Sequence, residues 1–399
     1  MANQRIINCH SHIFSRHCAP DYFLRVGLPN SLDPFAPTIK NILENKNARR
    51  LMRLFSKIYK NGVFSKYLSF LEIGTEQSQT DIFEILKNNY SPLDTKTRFI
   101  VLTLNMDYMD TRPSRHSRIE DQLLEVEKAR SYYPDLLFPF VGVDPRYKQG
   151  TALKDWVAEK ITRRAFFGIK LYPSFGFYPF DPRLDEMYAW AEENEIPIMT
   201  HCTRYGVYYT GDFNDVANTD TPPSLNPQSP QMNAIYKRVR AFRSTKLTNK
   251  NTQHGCNIFL HPENYLPVLE KYSRLKICFA HFGGSEEIMG GKHITVKEGL
   301  DTHNWYIDIL SMLKNYSNTY TDISYSLYDD KIYNELNLQL AGEIGHKILF
   351  GTDFFMVEQE EKEKLLWNKV MRATGPAGFD RMAKENNGNY LSSRFFNQS

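Results

Sequence analysis

The chain reads as an α/β protein, a (β/α)8 TIM barrel with two large insertions after strands 1 and 5. Three observations predict this. Short β-branched or aromatic apolar runs recur eight times, polar punctuation and helix-period stretches separate them, and 399 residues suit a barrel of about 250 residues carrying additions.

The runs place strands at Ile6–His12, Arg98–Asn105, Leu137–Val143, Phe166–Tyr172, Ile196–His201, Lys276–His281, Thr319–Ser324 and Lys347–Asp353. Between them, apolar positions at helical spacing appear at Ile119, Leu123 and Val126, continuing to Arg130. The same spacing appears at Leu184, Met187, Tyr188 and Ala191, and at Tyr265, Leu269, Tyr272 and Leu275. Strands alternating with helices imply parallel pairing through right-handed crossovers, and eight such units favour a closed barrel over an open sheet. Residues 1–399 are read as a single domain. Residues 14–96 form a helical insertion after strand 1, with helical patterning at Asn47–Tyr67. Residues 204–256 form an insertion after strand 5, expected over the active site, with a Pro/Asn/Ser-rich stretch at Thr219–Asn233 and a basic, helix-like one at Tyr236–Lys246.

Composition narrows the partners. Lys+Arg 49 against Asp+Glu 46 leaves a net charge of +3 spread along the chain, which shows neither a nucleic-acid footprint nor a polybasic membrane patch. No apolar run approaches a membrane span, and the N-terminus lacks a signal core. The 5 cysteines are odd in number and have no C-x-x-C pair, so reduced thiols and a cytoplasmic location are expected. The partner expected is a small-molecule substrate, with assembly as a homo-oligomer left open.

The chemistry lies at strand tips. His10 and His12 alternate at the end of strand 1, so one face of a strand can present both imidazoles to one metal ion. His201 closes strand 5, His281 closes strand 6 just before Gly283-Gly284, Asp353 closes strand 8 and Lys170 lies at the end of strand 4. A barrel gathers such ends at its catalytic face. Neutral imidazoles suit zinc, iron or manganese, and Asp353 can bind the metal or take a proton from water; an open metal position lowers the pKa of bound water toward ~7. His281 could orient that water or act as acid or base. Lys170 is either a carbamylated bridge between two metals or an ammonium for a substrate carboxylate. Arg146, in Asp144-Pro145-Arg146, is a candidate for a substrate anion or else part of a turn with a salt bridge, and Tyr205 is a candidate pocket residue. Asp322 either faces the site or N-caps the stretch Ser324–Tyr333.

These segments resemble the amidohydrolase superfamily, most closely its amidohydrolase-related branch of metal-dependent TIM-barrel hydrolases and nonoxidative decarboxylases. The matching stretches are Asn8 to Phe14, Val143 to Arg146, Gly168 to Pro173, Pro197 to His201, His281 to Gly284 and Phe350 to Asp353. The resemblance implies that His10, His12, His201 and Asp353 are metal ligands and that His281 is a ligand of a second metal or the catalytic histidine. Asn8 stands where many members have Asp, Tyr172 where many have His, and Phe282 where decarboxylase-like members often have Gly. The function expected is a hydrolase that activates water against an amide, lactone or ester carbonyl, with Asp353 and His281 catalytic. The cofactor expected is one divalent transition metal, zinc before manganese or iron, and two ions if Lys170 is carbamylated. The alternatives are a metal-dependent nonoxidative decarboxylase of an aromatic or unsaturated carboxylic acid and a catalytically silent barrel that serves as a binding scaffold.

Overall fold

A computed structural model describes residues 5–23, 78–111, 118–204, 206–211, 252–290 and 304–396, with isolated positions between them. The predicted helical stretch Asn47–Tyr67, most of Thr219–Asn233 and Tyr236–Lys246, and Tyr205 lie outside the described residues.

Eight parallel strands pair in chain order. They are β1 (Ile7–Ser11), β2 (Arg98–Leu102), β3 (Leu137–Val143), β4 (Gly168–Leu171), β5 (Ile198–Thr200), β6 (Ile277–Phe279), β7 (Thr319–Asp322) and β8 (Ile348–Leu349). Each falls inside an apolar run read from the sequence; β3 spans its whole run, and the others are shorter, with His12, His201, His281 and Asp353 lying just past the ladder at the site. β8 meets β1 through Cys9 N–H to the Phe350 carbonyl (2.9 Å) and Asp353 N–H to the His10 carbonyl (2.8 Å), which brings the first and last strands together.

The alternation of side chains divides the core in two. Ile7, Cys9, Ile100, Leu102, Phe140 and Met199 belong to a cluster inside the barrel. Residues of the opposite parity, such as Phe99, Val101, Val141, Ile169 and Ile277, pack under the helices. Both faces of every strand are therefore buried, the condition under which parallel sheets occur.

The crossover helices form where the periodicities predict. Ile119–Tyr132 buries Ile119, Leu123, Val126 and Ala129. Asp185–Glu193 buries Met187, Tyr188 and Ala191. Arg130 continues its helix's inward stripe by laying its guanidinium on the rings of Phe138 and Phe167, 4.8 and 4.5 Å from their centroids. Within 14–96, the helix Gln79–Tyr90 opens on a capping box between Ser78 and Asp81 and occupies the outer layer between β1 and β2. Among the described residues no helix is long and apolar enough to cross a membrane, and all five cysteines are buried with free thiols.

Candidate active site

The strand tips converge by different local routes. Pairing between β1 and β2 shifts register between Asn8 and Ser11. Cys9 packs inside the barrel, and the irregularity lets His10, of opposite parity, turn inward too, as a β-bulge re-aims side chains. His281 follows β6 in a left-handed conformation (φ 70°) that continues through Phe282, Gly283 and Gly284. This costs on the order of 1–2 kcal/mol for each non-glycine residue. Three hydrogen bonds hold the turn: His281 N–H donates to Asp322 Oδ1 (2.9 Å), and both Gly284 N–H and Ser326 Oγ donate to the His281 carbonyl (2.9 Å each). Gly283 is required there, since a Cβ would stand 2.9 Å from Tyr306 N.

The hydrogen bonds fix the imidazole tautomers. His10 Nδ1 lies 2.9 Å from Asp322 Oδ2, His12 Nδ1 2.9 Å from the Leu102 carbonyl, and His281 Nδ1 3.1 Å from the Ser324 carbonyl. A carboxylate and a carbonyl only accept, so each Nδ1 carries the proton and each Nε2 presents a lone pair. Ser324 Oγ donates to Asp322 Oδ1 and receives from the Nδ1 atoms of His10 (3.0 Å) and His281 (2.9 Å). His10 Nε2 and His12 Nε2 then face Asp353 Oδ1 at 3.5 and 3.2 Å.

Charge follows from this packing. Burial and the nearby Lys170 push His10 down to about 3, and burial lowers His281, so both are neutral at neutral pH. Burial alone would raise Asp322, but His10, His281 and Ser324 more than offset it; Asp353 is likewise held low by His12, His10 and His281 against burial. Two imidazoles that turn their Nε2 atoms inward and a carboxylate, with room for further ligands, fit a divalent transition metal held by His10 Nε2, His12 Nε2 and Asp353 Oδ1. In the neighbouring group of His10, His281 and Asp322, hydrogen bonds from protonated Nδ1 atoms already engage the acceptors, so that group supports the ligands.

The other sequence candidates fall in different places. His201 stacks on Tyr172 at 4.3 Å, and its Nδ1 lies 3.1 Å from His281 Nε2; it joins the cluster through His281, outside both compact groups. A Cβ on Gly206 (φ 106°) would meet the Tyr172 hydroxyl at 2.6 Å and His201 Nε2 at 2.8 Å, which makes glycine necessary beside this stack. Lys170 is buried in the barrel, its Nζ without a hydrogen-bond partner among the described residues, and burial lowers it to about 8 despite Asp322 and Asp353 nearby. Arg146 does not line the pocket. Its guanidinium is bound to both Asp144 oxygens (2.8 and 2.6 Å) and to the Phe175 carbonyl, the salt-bridged turn that was the alternative to a substrate-anion contact.

A cavity of about 550 Å³ opens over His12, His201, His281 and Asp353. Phe14, Phe23, Leu104, Met106, Tyr325 and Tyr328 make its walls largely apolar. A polar edge is made by Arg204, whose Nε donates to Glu287 Oε1 (2.6 Å) while the guanidinium lies 4.4 Å over Trp305.

A family model described as Amidohydrolase matches residues 112–386, well over half of the chain. The protein belongs to this amidohydrolase family. The fold is also that of solved structures. One is a 5-carboxyvanillate decarboxylase from Novosphingobium aromaticivorans with bound manganese and 3-methoxy-4-hydroxy-5-nitrobenzoic acid (TM-score 0.54, 11% identity, 98% of this chain and 97% of that chain covered). Another is a probable 2-pyrone-4,6-dicarboxylic acid hydrolase from Acinetobacter baumannii with citric acid bound (TM-score 0.52, 12% identity, 97% and 99% covered). No curated protein matches the chain.

In this amidohydrolase Asp322 takes the first of its two expected roles, and Ser324 joins it without a signal in the sequence. Asp322 N-caps no helix; it faces the site from the tip of β7, and the chain after it runs as short turns, Ser326–Tyr328 and Asp330–Ile332. The usable signal was the one applied elsewhere, an acid closing a barrel strand.

Proposed function

We propose that this amidohydrolase is a metal-dependent hydrolase that directs water at an amide, lactone or ester carbonyl of a small, largely apolar molecule. The observation that carries the reading is the convergence of His10 Nε2, His12 Nε2 and Asp353 Oδ1, both imidazoles aimed by an acceptor behind them, beneath a walled cavity. A divalent cation there, zinc, manganese or iron by donor type, would supply Lewis acidity and acidify water.

The protein's own groups divide the remaining work. Asp353, kept ionised, accepts the proton of the attacking water. His281 has committed its Nδ1 proton to the Ser324 carbonyl, so its Nε2 is the atom that would take up the water's proton from Asp353 and deliver it to the leaving group, which leaves Asp353 ionised and His281 neutral again. The apolar walls exclude bulk water and strengthen these interactions. Lys170, if carbamylated, would allow a second ion; left as an ammonium it is a buried cation beneath the site.

A second reading, nonoxidative decarboxylation of an aromatic or unsaturated acid, is favoured by the apolar cavity with Arg204 at its edge. The two separate in one assay series: metal-loaded protein is offered small lactones, amides, esters and aromatic acids, with carbonyl hydrolysis and carbon dioxide release followed in parallel. Hydrolysis without carbon dioxide supports the first reading; carbon dioxide release without hydrolysis replaces it with the second. A full biological activity that persists in metal-free protein and in a His10→Ala/His12→Ala variant would leave only a scaffold.

A further inference from the structure

We propose that Glu363 is a positioning residue of the metal centre, acting through Asn8 and Thr352 across the seam that closes the barrel to set His10 against Asp353. The inference rests on the metal-centre reading above. His10 and Asp353 come from opposite ends of the chain, and β8 beside them is only Ile348–Leu349. Beyond that short ladder, backbone bonds such as Asp353 N–H to the His10 carbonyl join the two tips, and they fix the main chain rather than the spacing of the two side chains.

Side chains supply the missing constraint. Asn8 Oδ1 accepts both His10 N–H and Thr352 N–H, each at 3.2 Å, so one atom binds His10 itself and the residue just before Asp353. Asn8 Nδ2 donates to the Thr352 hydroxyl (2.8 Å) and the Tyr90 hydroxyl (2.9 Å). Both hydroxyls pass their own protons to Glu363 Oε1, at 2.8 Å each, and Asn8 Nδ2 approaches the same oxygen at 3.4 Å. Every donor thus points toward Glu363, which makes it the terminal acceptor that orients the set. Without it the two hydroxyls lose their acceptor and the Asn8 amide loses the partners that hold its carbonyl toward the seam.

The cost of this arrangement argues for a role in the site. Asn8, Tyr90, Thr352 and Glu363 are all fully buried, and Glu363 Oε2 has no hydrogen-bond partner among the described residues. An acid there is a poor way to fill a core, because burying a carboxyl group without full compensation is unfavourable where an apolar side chain would pack. Burial also pushes this carboxyl up to about 8, against the hydrogen bonds from Thr352 and Tyr90.

The test compares full-length wild type with Glu363→Gln, Glu363→Leu and Thr352→Val by Mn²⁺ competition against a chelator, with circular dichroism and thermal unfolding of the metal-free proteins alongside. Glu363→Gln keeps an acceptor oxygen and should hold Mn²⁺ within about threefold of wild type, while Glu363→Leu and Thr352→Val, folded, should bind at least about tenfold more weakly, the range seen when groups behind a ligand are lost. Equal affinity in wild type and Thr352→Val, or equal loss in the Gln and Leu variants, overturns the inference. Should Glu363→Leu fail to fold, Thr352→Val and Glu363→Gln decide alone. Wild type that binds no Mn²⁺ refutes the metal-centre reading and this inference with it, whereas wild-type binding that no variant disturbs refutes this inference only.

Discussion

Asp322 touches two parts of the site at once, receiving the His10 Nδ1 proton on Oδ2 and the His281 N–H on Oδ1. Replacing it by asparagine removes the charge and lets an amide N–H face His10, which favours the wrong tautomer. Asp322→Asn should therefore lose about 10- to 100-fold in metal affinity, read by chelator competition, with little loss of helical signal. Glu363 makes a prediction in the opposite direction. Its folded carboxyl stays protonated to about 8, whereas an exposed one ionises near 4.5, so stability present at low pH is lost as pH rises between those values. Glu363→Gln removes that loss: its unfolding free energy, measured in denaturant on metal-free protein, should gain on wild type from pH 5 to pH 8.5 by up to several kcal/mol, at about 1.4 kcal/mol per unit. A wild-type curve that falls no faster than the variant's contradicts the assignment. At this scale the sequence exposed His10, His12, His281 and Asp353 because each closes an apolar run. For Arg146 the sequence left two readings open, and the structure shows the local one, because an Asp-Pro-Arg turn lets the arginine fold back on Asp144 two residues away.

Elements bring these residues to bear through departures from regularity. The β1 irregularity and the left-handed run from His281 to Gly284 each turn a histidine toward the cavity that an ideal strand would have aimed elsewhere. Gly283→Ala places a Cβ 2.9 Å from Tyr306 N at φ 83°, so it should destabilise by about 1–3 kcal/mol in chemical unfolding and depress turnover by more than that loss explains. Turnover unchanged in a folded variant would mean that the run does not aim His281. The strands and crossover helices were legible because hydrophobic period reports burial directly. These turns were not: the glycine pair marked the place, but the positive φ of His281 and Phe282 depends on hydrogen bonds from Ser326 and to Asp322, residues over forty positions away.

For the molecule as a whole, the candidate ligands straddle the joint between the first and last strands, so a bound cation would staple the barrel shut. Stripping the metal should lower the melting temperature: an ion at a thousandfold excess over its dissociation constant contributes about 4 kcal/mol. A melting temperature indifferent to chelator and to added Mn²⁺ or Zn²⁺ would speak against ligands shared across the seam. The barrel order and its catalytic end could be read from sequence because the eight runs alternate with helices in sequence order. The cavity could not, since its walls come from many separated segments, Phe14 and Phe23 after β1, Leu104 and Met106 after β2, Tyr325 and Tyr328 after β7. The most direct test of the account is anomalous diffraction from crystals grown with Mn²⁺ or Zn²⁺. It predicts a peak about 2.0–2.2 Å from His10 Nε2, His12 Nε2 and Asp353 Oδ1; an active enzyme whose peak lies away from all three would contradict it.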